Sequence, residues 1–224
     1  MVIIPIFTII VSGCTLAHRK RADQEIIEAE TQTWQKGKGD AYLFDVKIYR
    51  EGKKNSVRLD VYRSDDKISL FARGYLGKGV LKGLISPDSI IAYFPTEKEF
   101  YSGKMADFIN DGCADSLPLE PTIIELFQKT PAEINHELDG FYVVIISEDD
   151  HLRQYKLESR SCPEGMEIGY TLKDDRFVPD EINYISSDGT FRFEATRRRA
   201  KLNIDIPEEK FRIDIPASAV RISP

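Results

Sequence analysis

From Asp40 onward, apolar and polar side chains alternate along the chain in short runs that are separated by polar turns. The first run spans residues 42–49, and a second run, residues 57–63, follows a turn at 51–55. Alternation places one face of each run on a core, and turns about every 8–12 residues are typical of an antiparallel meander. Further strands are expected near residues 68–73, 80–86, 89–95, 98–102, 140–147, 151–158, 166–173, 181–186, 189–196, 199–205 and 210–215. So many strands in one domain predict a barrel or a strongly curved sheet.

A helical pattern replaces the alternation before the first strand. Residues 23–36 begin with acidic side chains, which the positive end of a helix dipole favours. Ile27 and Trp34 follow at helical spacing, and glycines then end the segment. We therefore expect an amphipathic N-terminal helix that packs Ile27 and Trp34 against the outer surface of the sheet.

A second helix is predicted inside the meander, over residues 119–131. Proline is tolerated near the start of a helix, and Pro131 would stop this one. Its apolar residues, which include Ile123 and Phe127, are too many for an isolated surface turn. We expect this short helix to pack on the sheet as a lid.

The first fourteen residues form an apolar run that ends in Val11-Ser12-Gly13-Cys14. This ending resembles the lipobox of a bacterial lipoprotein, in which a lipid is attached to the cysteine sulfur and the chain is cleaved before it. The run is too short to span a bilayer, which needs roughly 20 apolar residues. An ordinary cleaved signal or a buried apolar segment remain as alternatives. The lipobox implies a signal peptide at 1–13, a lipidated tether at 14–22 and a folded domain at 23–224.

Composition and charge narrow the function classes. The chain has 224 residues, a formal net charge of −6 and a pI near 5.3. Nucleic-acid binding rests on the neutralisation of phosphates, so this acidic balance argues against it. One basic cluster, Arg197-Arg198-Arg199 with Lys201, lies between strand-like runs and is interpreted as a solvated turn or a strand edge.

Two further cysteines, Cys113 and Cys162, lie in segments rich in turn residues. In an exported protein such an even pair predicts a disulfide. A metal site is the alternative, but neither cysteine has a CxxC companion or a nearby histidine.

Catalytic motifs are absent from the sequence. The three histidines, at positions 18, 136 and 151, fit no zinc-protease spacing, and no G-x-S-x-G elbow occurs. The glycine-rich stretch 74–79 fits neither phosphate-loop pattern and predicts a hairpin or a bulge. We therefore predict that the protein is not an enzyme and uses neither a metal nor a cofactor.

Three consecutive segments carry a resemblance to a known family. Residues 58–63 and 67–72 form two short strands, and residues 84–90 form a third that ends in a Pro-Asp-Ser turn. Together with the strand pair expected at 200–216, this run resembles the LolA/LolB-like superfamily of bacterial lipoproteins and lipoprotein carriers. The resemblance implies a mainly-β fold, a half-open antiparallel β-barrel of about eleven strands with an N-terminal helix and a short inserted lid helix. It also implies an apolar interior that holds acyl chains.

The candidate cavity residues are apolar positions on the predicted strands, with two more on the lid. They are Leu59, Val61, Ile68, Leu70, Ile91, Tyr93, Phe141, Val143 and Ile145, with Ile123 and Phe127 on the lid. Each of these residues fits a filled core equally well, because small barrels are often packed solid by their side chains.

The functional expectation follows from the anchor and the resemblance together. The chain is expected to be a membrane-anchored bacterial lipoprotein that binds lipid, or the acyl chain of a lipoprotein, in the cell envelope. Thr15 after Cys14, in place of Asp, suits the outer membrane, facing the periplasm, under the sorting rule of enteric bacteria. The alternative is a scaffold or assembly lipoprotein that binds an envelope protein partner.

Overall fold

A computed structural model describes residues 38–50, 52–104, 120–134, 141–159, 165–186 and 189–223 of the chain. Cys14, the predicted N-terminal helix and the Cys113–Cys162 pair lie outside the described residues. The lipid anchor, the helix, the disulfide and the proposed domain boundaries therefore stay predictions.

The alternating runs of the first half form a meander of six strands. They are β1 (Lys38–Arg50), β2 (Lys53–Arg63), β3 (Ile68–Arg73), β4 (Gly79–Ser86), β5 (Ser89–Phe94) and β6 (Glu99–Gly103). The glycine-rich stretch forms a 3₁₀ turn, Tyr75–Gly77, between β3 and β4. Its interpretation as a hairpin connection is confirmed, because the two strands that it joins pair with each other.

The second half contains a helix, a second meander and a C-terminal segment. Its elements are α1 (Glu120–Leu126), β7 (Phe141–Glu148), β8 (Leu152–Ser159), β9 (Gly165–Lys173), β10 (Arg176–Ile185), β11 (Phe191–Asp205), a 3₁₀ turn (Glu208–Phe211) and β12 (Val220–Arg221).

All twelve described strands belong to one sheet, in the order β12-β6-β5-β4-β3-β2-β1-β11-β10-β9-β8-β7. Antiparallel pairing of β1 with β11 joins the two meanders, from Lys38 opposite Asp205 to Arg50 opposite Phe191. β6 and β7 follow each other in the chain but lie near opposite ends of the sheet. The prediction of a mainly-β, half-open architecture is confirmed, with twelve described strands in place of about eleven.

The C-terminal strand pair expected at 200–216 is not formed. The runs predicted at 189–196 and 199–205 are one continuous strand, β11. Pro207 then begins a 3₁₀ turn, because proline cannot donate to a sheet ladder, and Phe211 in that turn is buried. The chain continues to β12, which pairs in parallel with β6.

The core lies on the inner face of the curved sheet and consists of two apolar clusters. The larger cluster contains Phe44, Val46 and Val61, together with residues of β3–β6, β10 and β11. The second contains Tyr155, Leu157, Ile168 and Tyr170 of β8 and β9. Helix α1 and the turn after it supply residues to both clusters, so this segment packs inside the curve of the sheet.

Candidate functional site

Four of the predicted cavity residues lie together on the inner face of β2 and β3. Val61 is directly opposite Leu70, and Leu59 is opposite Ala72, so their side chains share one face. Leu59, Val61, Ile68 and Leu70 are each at most 5% exposed and belong to the larger core cluster. In this structure they form part of the packed inner layer.

Ile91 and Tyr93 lie on the other face of the sheet. Ala92 is opposite Gly83, and Gly83 is opposite the inner-facing Leu70. Residues directly opposite each other share a face of the sheet, so Ala92 faces inward as well. Successive strand residues point to opposite faces, so Ile91 and Tyr93 point outward. Neither belongs to the core clusters, and neither lines the interior. The sequence did not reveal this because β5 is apolar on both faces.

The three candidates on β7 share the inner face but differ in burial. Phe141 is buried in the second cluster. Val143 is opposite the buried Leu157, and Ile145 is opposite the buried Tyr155, so both point to the interior side. They are nevertheless 37% and 55% exposed. Here the apolar inner face meets solvent.

The predicted lid residues contact the inner face. Ile123 is partly buried against the larger cluster, and Phe127, in the turn that follows α1, is buried within it. The ring of Phe127 lies 5.5 Å from the ring of Tyr42 and 6.4 Å from that of Phe44 between centroids. Aromatic pairs at this separation add to the stability gained by burial alone.

Two tyrosine hydroxyls hold the C-terminal end of α1. Tyr170 donates to the carbonyl of Leu126 at 3.1 Å. The single proton of the Tyr42 hydroxyl is shared between the Asp40 carboxylate at 3.2 Å and the carbonyl of Phe127 at 3.4 Å. The last carbonyls of a helix have no partner within the helix, so these bonds satisfy groups that would otherwise be buried unpaired. Complete burial raises the pKa of Tyr170 well above its ordinary value, which keeps the hydroxyl protonated and able to donate.

A buried ionic cluster lies at the Asp40 end of β1. The Asp40 carboxylate is 1% exposed and accepts hydrogen bonds from Arg63 at 2.9 Å, Arg176 at 2.6 Å and the Asn203 backbone N–H at 3.0 Å. Burial by itself would raise the pKa of Asp40. The Asn203 bond and the two guanidinium charges outweigh burial and hold the pKa below its ordinary value. The cluster ties β1 and β2 to β10 and β11.

Sequence reasoning missed this cluster, although a signal was present. Asp40 has the same parity as the inner-facing residues of β1, and Arg63 has the same parity as those of β2. Extending the β1–β2 hairpin register outward from Tyr49 opposite Lys54 brings Asp40 opposite Arg63. Opposite charges that face each other on the buried face of a β-hairpin predict an ion pair, because a buried charge needs a partner.

Two buried hydroxyls near the lid have no hydrogen-bond partner in the described part of the chain. They belong to Tyr155 and Thr130, both of which are 0% exposed. The Tyr155 ring packs edge-on against that of Tyr170 at 6.0 Å between centroids. The interior is therefore apolar with isolated polar groups.

A pocket of about 200 Å³ lies on the outer face, under the C-terminal segment. Tyr62, Phe71 and Lys82 line it from the sheet, and Lys210 and Arg212 line it from the other side. The Lys210 ammonium lies 5.2 Å from the centre of the Tyr62 ring. Leu70, one of the predicted cavity residues, and Gly83 also contribute to the lining of this pocket.

Among the residues that the structure describes, no helix has the length and apolar character needed to cross a membrane. The described residues also contain no group of three or more His, Cys, Asp or Glu side chains placed to hold a metal ion.

No protein-family model matches the chain, and no curated protein matches it in sequence. Solved structures with a similar fold were found. A conserved protein from Thermus thermophilus has a TM-score of 0.48 at 9% identity, over 83% of this chain and 90% of that one. A domain from Vibrio parahaemolyticus, described as an outer membrane lipoprotein-sorting protein, has a TM-score of 0.47 at 7% identity, over 78% and 89%.

A LolA superfamily protein from Nitrosomonas europaea has a TM-score of 0.38 at 10% identity, over 79% of this chain and 91% of that one.

Proposed function

We propose that this protein is a membrane-anchored bacterial lipoprotein that binds lipid or acyl chains against the inner face of its half-open barrel. The observation that carries the proposal is the incomplete covering of that face. Val143 and Ile145 are exposed, yet they lie directly opposite the buried Leu157 and Tyr155. An acyl chain laid on these side chains would extend the existing core, with a gain of about 25 cal/mol per Å² of apolar surface removed from water.

Helix α1 is the part of the interior that would move. Ile124 of the helix and Phe127 of the turn after it pack on the larger cluster, while Leu126 packs on the smaller one. A ligand that enters from β7 reaches the smaller cluster first and meets the helix there. The hydrogen bonds from Tyr42 and Tyr170 to the end of α1 oppose its displacement, so they would set how readily the interior opens.

The proposed location follows from the N-terminus. Lipidation of Cys14 would tether the domain to a membrane of the cell envelope, with the outer membrane, facing the periplasm, as the proposed site. Several acyl chains on one cysteine anchor a protein stably, since each buried CH₂ contributes about 0.8 kcal/mol. The domain would then bind its ligand next to a lipid surface.

The test is native mass spectrometry of the full chain, purified in mild detergent from the envelope of the cells that produce it. We expect a discrete added mass beyond that of the anchor, which extraction into organic solvent identifies as lipid. A mass that stays at that of the protein and its anchor, also after incubation with total envelope lipids, would contradict the proposal.

Two adjacent valines provide a matched pair of variants. Val143 faces the interior and Val144 faces outward, and they are 37% and 41% exposed. Val143→Asn should lower the retained lipid several-fold, because an amide on the inner face must give up water when an acyl chain covers it. Val144→Asn should retain lipid as the parent protein does. Equal lipid content in both variants would exclude the β7 end of the inner face as the binding site.

A scaffold or assembly role in an envelope protein complex is the second candidate function. The exposed apolar side chains of β7 favour it, since exposed apolar patches on soluble proteins often mark interaction sites. Under this alternative the same purification yields lipid-free protein together with a stoichiometric protein partner.

A further inference from the structure

The pocket on the outer face is built from two parts of the chain that are far apart in sequence. Tyr62 is directly opposite Ser69, and Phe71 is directly opposite Lys82, so these four side chains share the outer face of β2, β3 and β4. Four residues of the C-terminal segment line the pocket from the other side. The pocket is therefore formed where that segment crosses the outer face of the sheet.

Two lysines bring positive charge to this pocket, one from each side. The Lys82 ammonium lies 6.0 Å from the centre of the Phe71 ring, and the Lys210 ammonium lies 5.2 Å from the centre of the Tyr62 ring. Neither lysine forms an ion pair with a carboxylate inside the described ranges. The face of an aromatic ring attracts a cation but does not neutralise its charge. Both ammonium groups can therefore take an anion as their partner.

Two hydroxyl groups add neutral hydrogen-bond donors. Ser69 is only 6% exposed, yet it lines the pocket. Its hydroxyl and that of Tyr62 make no hydrogen bond to another side chain or carbonyl of the described segments. Because a buried hydroxyl is normally paired, and the pocket is where a partner can approach Ser69, a bound group with acceptor oxygens would satisfy it.

The remaining charges of the lining leave a positive balance. Arg212 forms an ion pair with Glu208 at 2.6 Å, so its charge is largely balanced. Glu209 is the one carboxylate in the lining, against three cationic side chains, in a chain whose net charge is −6. Ammonium and hydroxyl donors around one pocket suit a phosphate group, which offers several charged acceptor oxygens.

We propose that the pocket on the outer face binds the phosphate group of a small phosphate ester, either free or as the headgroup of a lipid. Lys82 and Lys210 balance its charge, Ser69 and Tyr62 donate hydrogen bonds to its oxygens, and the ring of Phe71 contacts the organic part. The sheet side chains of this site point away from the inner face. The proposal therefore goes beyond the proposed binding of acyl chains and does not depend on it.

The test is isothermal titration calorimetry of the full chain in a non-ionic detergent. The free source is probed with glycerol 3-phosphate, and the lipid source is probed with micelles of the same detergent that contain phosphatidylglycerol. Micelles that contain diacylglycerol are the control, because this lipid has the acyl chains and the glycerol but no phosphate. We expect saturable binding of at least one phosphate probe. A response to glycerol 3-phosphate identifies a free ester as sufficient, and a response to phosphatidylglycerol alone identifies a lipid headgroup.

Charge variants locate the site. Lys210→Gln and Lys82→Gln should each weaken binding of the phosphate probe by roughly tenfold, because each removes a charge-assisted hydrogen bond. Lys78→Gln is the matched control, since Lys78 is an exposed lysine in the connection before β4 and does not line the pocket. Glu209→Gln should tighten binding several-fold, because it removes the one carboxylate that repels an anion there. A purely structural role of these side chains would not produce effects of opposite sign.

Circular dichroism of each variant verifies folding, and Lys210→Gln carries the test if Lys82→Gln does not fold. No binding of either phosphate probe would overturn the proposal, as would equal binding of phosphatidylglycerol and diacylglycerol without any response to glycerol 3-phosphate. Equal losses in Lys210→Gln and Lys78→Gln, or weaker binding in Glu209→Gln, would exclude this pocket as the site. Diacylglycerol tests the proposed binding of acyl chains separately, so failure of one proposal is distinguished from failure of the other.

Discussion

Asp40 is a buried charge on a strand face that is otherwise apolar. The next inner-facing residues of β1, Tyr42 and Phe44, are both part of the core. Its carboxylate lies 2.8 Å from Arg63 and 2.6 Å from Arg176, and these three residues belong to three different strands. Removal of one member of a buried ionic group leaves uncompensated charge behind, which costs more than the intact group contributes.

Asp40→Asn is therefore expected to lower the free energy of unfolding by about 3 kcal/mol at neutral pH. Asp45→Asn on the same strand is the matched control, because Asp45 pairs with Arg198 at the surface, where the two side chains are 36% and 69% exposed. Surface ion pairs contribute less than about 1 kcal/mol, so this control should be nearly neutral. Urea unfolding of both variants measures the difference. Equal effects would show that the buried cluster contributes no more than a surface pair.

The same cluster predicts an acid transition. The pKa of Asp40 is lower in the folded protein than in the unfolded chain, where it is about 4. The stabilisation that the ionised carboxylate adds to the free energy of unfolding is therefore fully present above the unfolded-state pKa. It is lost as pH falls through the lower folded-state pKa. Below about pH 4 the parent protein should lose stability more steeply than Asp40→Asn. Parallel curves of unfolding free energy against pH for the two proteins would contradict this assignment.

At the scale of elements, α1 is a short helix held mainly from outside itself. Its seven residues are too few for a stable isolated helix. Burial of Ile124, Leu126 and Phe127 and the two tyrosine hydrogen bonds keep it in place. Its local stability should therefore respond to substitutions on the sheet that leave the helix sequence unchanged.

Tyr170→Phe tests this dependence. Loss of the bond to the Leu126 carbonyl should lower local stability by about 1 kcal/mol, so the α1 amides should exchange with solvent hydrogen several-fold faster. Tyr155→Phe is the matched control, because the Tyr155 ring packs against Tyr170 while its hydroxyl has no partner in the described part of the chain. That variant should leave α1 exchange unchanged or slower. Faster exchange in both variants would mean that ring packing, and not the hydrogen bond, holds the helix.

The elements differ in how well the sequence predicts them. Strict alternation predicted β1 and β2 and the side of each that faces the core, because a strand with one polar and one apolar face can be oriented in only one way. Their starts were predicted four residues too late: β1 begins at Lys38, and β2 begins at Lys53, inside the turn expected at 51–55. The same reasoning failed for Ile91 and Tyr93, because β5 is apolar on both faces and only pairing with β4 decides which side faces inward. It also failed at 210–215, where residues alternate as in a strand but Pro207 turns the chain onto the outer face.

The candidate site was predictable only in part, for a related reason. Apolar positions on β2 and β3 identified the inner layer, but the extent of its burial depends on partners far away in sequence. The contacts of Tyr42 and Tyr170 with α1 join positions 85 and 44 residues apart. Such contacts depend on the closure of the sheet and leave no local pattern.

At the scale of the whole molecule, the pairing of β1 with β11 is the junction of the two meanders. Gly39 lies at this junction, where the chain segments approach closely. A β-carbon built on Gly39 would collide with the carbonyl oxygen of Arg63 and would lie 2.6 Å from Cδ1 of Ile206. One contact is with the end of β2 and the other follows β11, so a larger residue would push apart the first and second halves of the sheet.

Gly39→Ala should therefore destabilise the whole protein, by about 2 kcal/mol as overpacking typically does. Gly169→Ala in β9 is the matched control, because its β-carbon would meet Glu181 at an ordinary 3.6 Å, and it should be neutral or slightly stabilising. In urea, the Gly39 variant should unfold in one transition at a lower midpoint, since both meanders share the β1–β11 ladder. A biphasic transition in that variant would show that each meander folds independently and that the β1–β11 pairing only links two already folded units.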